Sequence, residues 1–345
     1  MRRTVFIFLV LLVADAAGGW PWSRGPAPVT IAAVGDIMLD RRIARTMRTR
    51  GPEAMVARIC DLISSADLAI GNLECPLARR SDRIEKAIAF RASPDAVRCL
   101  VEGGLDVVTL ANNHTLDCGR EGLRETMVVL GTAGMRWCGA GEDRAAAERA
   151  TIIEVRGRRV AFVGFCEFME GERKWDHTPT IALAEEETVR RAVAAARGEA
   201  DSVVASFHWG EEYDERPNRL QCRLAAAAVH AGADLVIGHH PHVLQGFQFL
   251  TRTGSGARRR ALVAYSLGNF IFDQKRDGTR ESVVLNATLG RDGVEAATLV
   301  PVALEGYRPR PAGPAAEAAI LARLERLSRA FRTRIDGRAV RPAAE

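Results

Sequence analysis

Apolar residues along the chain fall into short unbroken runs separated by longer stretches of three-to-four spacing. The runs at 29–34, 68–71, 107–110, 202–207, 235–237 and 262–265 have the length and β-branched content of strands buried on both faces. Between them, residues 52–65, 93–102, 119–132, 185–197 and 218–231 carry helical periodicity. Two hairpins are predicted as well. One covers 151–165 and turns at Arg156-Gly157-Arg158; the other pairs 282–289 with 294–304 across Gly290-Arg291-Asp292-Gly293. Strands alternating with helices predict an α/β fold, to which the hairpins add antiparallel strands. Beyond about 305, Pro309, Pro311 and Pro314 interrupt the pattern and an amphipathic Arg-rich helix follows at 315–331. Residues 305–345 therefore read as a helical tail on a domain at 29–304.

The first residues follow a different pattern. Arg2 and Arg3 precede nine apolar residues at 5–13, and Ala14-Asp15-Ala16 fits a small-x-small cleavage site. Nine residues fall short of the roughly 20 that span a bilayer core. Residues 1–16 thus read as a signal peptide, with an uncleaved anchor as the alternative, and 17–28 as a Gly/Pro-rich linker. An exported, extracytoplasmic protein at the periplasm or cell surface is expected, held to the membrane by its N-terminus if the segment is not cleaved.

Composition narrows the function. At 345 residues, 47% hydrophobic and 26% charged, the chain can bury a large core. Its net charge of +5 is carried by arginine, since Lys86, Lys174 and Lys275 are its only lysines. No block of like charges and no aromatic-basic interleaving occurs, so no nucleic-acid partner is expected. The seven cysteines are odd in number and lack a CxxC spacing, which excludes a zinc ribbon or a thioredoxin motif. In an exported chain one or two disulfides are conceivable, with no pairing legible.

Candidate chemistry sits where the strands end. Gly35-Asp36 follows the first run, Gly71-Asn72-Leu73-Glu74 the second, Ala111-Asn112-Asn113-His114 the third, His208-Trp209-Gly210 the fourth and Gly238-His239-His240-Pro241-His242 the fifth. Ligands in open α/β sheets bind outside the carboxyl ends of strands, so the fold would gather these groups into one crevice. Each has a plainer reading: Gly-Asp as a turn or helix cap, Glu74 as a solvated acid, His208 as a core histidine beside Trp209. Three imidazoles within four residues have little packing rationale, and together the set reads as a metal centre. Carboxylates, amide oxygens and imidazoles without thiolates suit manganese, iron or zinc, one or two ions per chain. Two such ions bridged by a carboxylate would form a clamp for hydrolysing a phosphate ester or an amide. His230 and His177 lie outside this pattern.

These blocks, with Val-Gly-Asp-Ile-Met-Leu at 34–39, His-Trp-Gly-Glu-Glu at 208–212 and Tyr-Ser-Leu-Gly-Asn-Phe-Ile-Phe-Asp at 265–273, resemble in order the CapA family. That family comprises bacterial poly-γ-glutamate capsule synthesis proteins of metallophosphatase-like fold, and the resemblance spans about 29–275. It implies a four-layer αββα sandwich of the calcineurin-like phosphoesterase type. It also implies metal ligands at Asp36, Glu74 (bridging), Asn113, His208, His240 and His242, with His239 replacing His240 if the loop is shifted. His114 would be the catalytic proton donor to the leaving group. Asn269 is a candidate substrate contact, with a turn as the alternative. Where the wider superfamily has Asp-x-His, this chain has Asp36-Ile37-Met38, and a thioether is a poor ligand for such ions. One site would keep Asp36, Glu74 and His242, the other Glu74, Asn113, His208 and His240, giving one tighter and one weaker centre.

The implied function is a metal-dependent hydrolase or transferase acting through a metal-bound hydroxide on an anionic envelope polymer or its precursor. Membrane-bound capsule synthesis subunits are the expected protein partners. The rival reading is a non-catalytic polymer-binding assembly or export component with a partly degenerate metal site.

Overall fold

The computed structural model describes residues 26–79, 82–168, 180–254 and 257–343. The expected signal peptide and His177 lie outside them, as does most of the expected linker. In chain order the first elements are β1 (Val29–Ile37), α1 (Arg41–Arg50), α2 (Cys60–Ser64), β2 (Leu68–Leu73), α3 (Val97–Glu102), β3 (Val107–Thr109) and α4 (Gly119–Thr132). Next come β4 (Arg136–Cys138), β5 (Ala140–Gly141), α5 (Arg144–Glu148), β6 (Thr151–Val155), β7 (Arg158–Cys166), β8 (Thr180–Ile181), α6 (Glu186–Glu199), β9 (Ser202–His208), α7 (Arg219–Ala231) and β10 (Leu235–His239). The rest is β11 (Phe247–Gly254), β12 (Ala257–Ala264), β13 (Asn269–Ile271), β14 (Glu281–Gly290), β15 (Gly293–Glu305), β16 (Arg308–Pro311), α8 (Pro314–Ser328), β17 (Thr333–Asp336) and β18 (Ala339–Pro342).

Hydrogen-bonded strands run in the order β4-β3-β2-β1-β14-β15-β12-β10-β9-β7-β6. The path creases between β15 and β12, which share a single register pair, Arg260 opposite Gly293. Three separate cores follow from that crease. Ile43, Leu123 and Leu130 of the first helices pack on Ala32, Val34 and Val108. Between the two halves of the sheet, Ile31, Ala33, Ile70 and Val107 meet Phe162, Val204, Ile237 and Leu262. On the far side, Val189, Val193, Leu224 and Val229 of α6 and α7 cover Val203, Phe207 and Val236. Three cores between successive layers make a four-layer αββα sandwich, the architecture expected. Residues 29, 31 and 33 of β1 face the core between the sheets and 32 and 34 the helix-facing core, which is why this strand reads as a continuous apolar run rather than an alternating one.

The predicted hairpins form, β6 with β7 and β14 with β15, both antiparallel. Other expectations need correction. Residues 52–65 do not make one helix: the backbone passes through a 3-10 turn at Pro52–Met55 before α2, although Met55, Val56, Ile59 and Ile63 all reach the core. Helix α1 was not foreseen, because among its five arginines only Ile43 and Met47 are buried; Asp40 caps its first N–H. The stretch after 305 is not simply a helical tail. Strands β16 and β18 pair with β15, and Ile320 and Leu324 of α8 enter the core between the sheets. Pro309 and Pro311 fit because β16 lies outside the main strand path, bonded only to β15. None of the seven cysteines, all among the described residues, is in a disulfide, and burial pushes the thiols of Cys99 and Cys138 up to about 12, so these two are packing residues.

One device recurs at the opposite end of the strands from the site. Asp67, Asp106, Asp201 and Asp234 each immediately precede a strand, and each accepts the first free N–H near the start of the neighbouring one: Thr30 at 2.8 Å, Ala69 at 2.8 Å, Arg159 at 2.9 Å and Val203 at 3.0 Å. These carboxylates lock the register of parallel neighbours and so fix which residues emerge together at the carboxyl ends. Asp234 carries the most, holding the guanidinium groups of Arg197 and Arg259 as well while nearly fully buried. Asp234→Ala strands an N–H and two arginines, and should lower stability by about 3 kcal/mol in chemical denaturation. An unchanged denaturation midpoint would show the register is set elsewhere.

Candidate metal centre

Two close backbone approaches bring the strand ends together. A Cβ on Gly35 would lie 1.9 Å from the Gly268 carbonyl oxygen, and one on Gly238 would lie 1.9 Å from that of Tyr265, so neither position admits a side chain. With those contacts made, the Asp36 N–H donates to Gly268 at 3.0 Å, and Asp36 sits opposite Asn269 of β13 in parallel register. His208 and His239 are neighbours across β9 and β10. The loop beyond β10 holds His240 and His242 in left-handed conformations, φ 95° and 58°, on either side of Pro241.

The convergence expected of the strand ends is present. Asp36, Glu74 and His208 offer ligand atoms that all lie within 4.8 Å of one another, and all three are buried. Asn113 Oδ1 is 2.9 Å from His208 Nε2. His240 and His242 form a second group with Glu212, again within 4.8 Å. His242 also stands beside Asp36, Nδ1 to Oδ2 at 3.3 Å, and the rings of His208 and His240 are 4.8 Å apart, which are the neighbours the expected division gave them. Glu212 was missed, although it ends the His-Trp-Gly-Glu-Glu block. Met38 turns away into the helix-facing core, where its sulfur accepts the Asp40 N–H at 3.1 Å. His239 Nδ1 stands 3.3 Å from Asp36 Oδ1, and neither of its ring nitrogens makes a hydrogen bond.

The two carboxylates have opposite electrostatic fates. Burial alone would raise Asp36, but the close approach of His239 and His242 outweighs it and holds the carboxyl well below its ordinary range. Glu74 is pushed well above its ordinary range by burial, then by the neighbouring charges of Asp36 and Glu212. Its Oε1 is buried without a hydrogen-bond partner. Around that oxygen stand three imidazole nitrogens, His242 Nε2 at 3.7 Å and the Nε2 atoms of His114 and His208 at 3.9 Å each. Burial also depresses His208, and it depresses His240 to about 3, so these rings are neutral at neutral pH. A buried carboxylate oxygen facing neutral imidazoles fits a divalent cation by the chemistry of its donors.

Supporting residues set the orientation of these rings. His114 Nδ1 lies 2.6 Å from Asp117 Oδ2, a carboxylate that also accepts the Phe90 N–H at 2.7 Å and Lys86 Nζ at 3.3 Å. An ionised carboxylate only accepts, so Nδ1 carries the proton and Nε2 faces Glu74. Asn269 behaves the same way toward His242. Its amide nitrogen donates to the Thr279 carbonyl at 3.0 Å and to Gln274, which leaves Oδ1 to accept from His242 Nδ1 at 2.9 Å. Asn269 is fully buried, so the substrate contact expected of it is corrected to a support for His242. Phe90, Phe168 and Phe272 lie against His114, His240 and His242, at ring separations of 4.2, 4.3 and 4.8 Å, and fence the centre with apolar surface.

Comparison with known proteins agrees with these motifs. The family model described as bacterial capsule synthesis protein PGA_cap matches residues 30–274. The chain is 32% identical over 292 residues to the capsule biosynthesis protein CapA of Bacillus anthracis, across 82% of this chain and 69% of that protein. To the PGA biosynthesis protein CapA of Bacillus subtilis (strain 168) it is 30% identical over 282 residues, across 81% and 72%. Among solved structures it is similar to a 5'-nucleotidase from Candida albicans SC5314, with TM-score 0.44 and 12% identity over 82% of this chain and 53% of that one. The matched segment contains every strand-end donor from Asp36 to Asn269, and the chain belongs to the bacterial capsule synthesis protein family.

Proposed function

We propose that this family member is a divalent-cation-dependent hydrolase or transferase acting on an anionic envelope polymer, or its precursor, outside the cytoplasm. The observation that carries the reading is Glu74 Oε1, a buried acceptor without a donor and ringed by imidazoles. Glu74, Asn113, His208, His240 and His242, with Asp36 behind them, are the residues that would hold the cation. The absence of thiolates from this set favours manganese, iron or zinc. Such a cation supplies Lewis-acid activation of water and of the scissile bond.

The chain's own residues do the rest. Asp117 fixes the His114 ring with its proton on Nδ1, so that Nε2 is the nitrogen available to take up a proton from the attacking water and pass it to a leaving oxygen or nitrogen. Burial lowers the affinity of His114 for that proton, with the Asp117 hydrogen bond opposing it, which suits a group that releases a proton readily. The aromatic fence excludes water from the far side of the rings. An extracytoplasmic setting is supported by the capsule biosynthesis names of the relatives, and membrane-bound synthesis subunits would be the partners there. No helix among the described residues is long and apolar enough to cross a membrane. A second reading, a polymer-binding component of assembly or export without turnover, is favoured by Met38, which deprives the Asp36 side of an imidazole.

Two experiments separate these readings. Manganese or zinc should raise the melting temperature of the purified chain by several degrees, and Glu74→Gln should abolish that shift; a full shift in the variant would remove Glu74 from the centre. With aryl phosphate, phosphodiester and γ-glutamyl amide substrates, His114→Ala should lose about 10²–10⁴-fold in turnover while keeping its cation. Inactivity of the cation-loaded protein on all three substrate classes would favour the binding component.

A further inference from the structure

Asn72 occupies the position between the two buried carboxylates. It is fully buried, and its amide nitrogen donates to Asp36 Oδ1 at 2.8 Å and to Glu74 Oε2 at 3.4 Å, with His208 Nδ1 at 3.2 Å from the same nitrogen. A carboxamide can be turned either way, so its orientation needs a cause. Asn112 supplies one. The Asn112 amide nitrogen donates to the Leu73 carbonyl at 2.8 Å, and its oxygen accepts the His114 N–H at 3.0 Å, which fixes that side chain. Its second hydrogen then points to Asn72 Oδ1 at 3.0 Å. Asn72 must therefore present its NH₂ group, with both hydrogens, to the carboxylates.

We infer that the Asn72 carboxamide stands where a second cation would bridge Asp36 and Glu74, so that this centre holds one cation only. The inference rests on the cation-dependent reading above and adds its stoichiometry. Ligand oxygens approach such cations at about 2.0–2.2 Å, and Asn72 Nδ2, 2.8 Å from Asp36 Oδ1 and 3.4 Å from Glu74 Oε2, fills the space between those two oxygens that a bridging ion would need. Two N–H dipoles directed at the same position also repel it. The oxygens sort accordingly. Asp36 Oδ1 accepts from Asn72 and Oδ2 accepts the His240 N–H at 3.2 Å, so both have protein donors. Glu74 Oε2 is engaged by Asn72, whereas Oε1 has no hydrogen-bond donor and faces the imidazoles. Glu74 thus has one oxygen for one cation. Asp36 becomes an organiser of the His240 loop rather than a ligand. Met38 fits the same arrangement, since a site closed by an amide needs no imidazole at that position.

The test is a cation count on the purified chain reconstituted with manganese, combined with electron paramagnetic resonance. The wild type should take up about one ion per chain and give the signal of isolated manganese(II). Asn72→Asp should take up about two and give an exchange-coupled signal. Two coupled ions in the wild type would overturn the inference and leave the cation-dependent reading intact, whereas no bound ion would overturn both. A folded Asn72→Asp variant that still binds one ion would also overturn it. Should that variant fail to fold, the wild-type count and signal decide alone.

Discussion

The placing of two carboxylates in a fully buried position is the constraint on which this structure depends. Unpaired, Asp36 and Glu74 would repel each other at low dielectric and destabilise any fold that buried them. Asp36 is settled by protein donors alone, Asn72 and the His240 backbone, with two imidazoles close by. Glu74 is only half settled. That asymmetry separates a finished internal network from a group that calls for a cation, and it arises because Asn112 orients one amide.

The scaffold answers to the same requirement. Side chains from β1, β2, β9, β10 and the loop after β3 must meet within a few ångströms although Asp36 and His242 lie 206 positions apart in the chain. Parallel strands covered on both faces hold the register, acidic residues at their starts lock it, and two glycines let the loops at their ends touch. The His242 ring loses little entropy on ligation, because Asn269 has already chosen its orientation, as Asp117 has that of His114.

Much of this was legible in the chain. Doubly buried strands announce themselves as unbroken apolar runs, and Asp36, Glu74, Asn113, His114, His208 and the histidines after β10 stood out because polar residues directly after such runs have few packing reasons to be there. What escaped was of two kinds. Helix α1 and the turn at 52–55 depend on tertiary packing that outweighs local propensity. Asn72, Asn112 and Glu212 lay inside blocks already marked, but an asparagine beside a glycine has the look of a turn residue, and nothing in a linear pattern tells which way an amide points. The role of Asn269 was misjudged for a related reason: its burial depends on the loop carrying Gln274 and Thr279, which no periodicity reveals.

The central claim is that Glu74 Oε1 and the surrounding imidazoles hold a divalent cation. Anomalous diffraction from crystals soaked in manganese or zinc tests it most directly. The account predicts a peak bonded to Glu74 and to nitrogens of His208, His240 and His242. A peak at surface carboxylates alone, with no density beside Glu74, would contradict it.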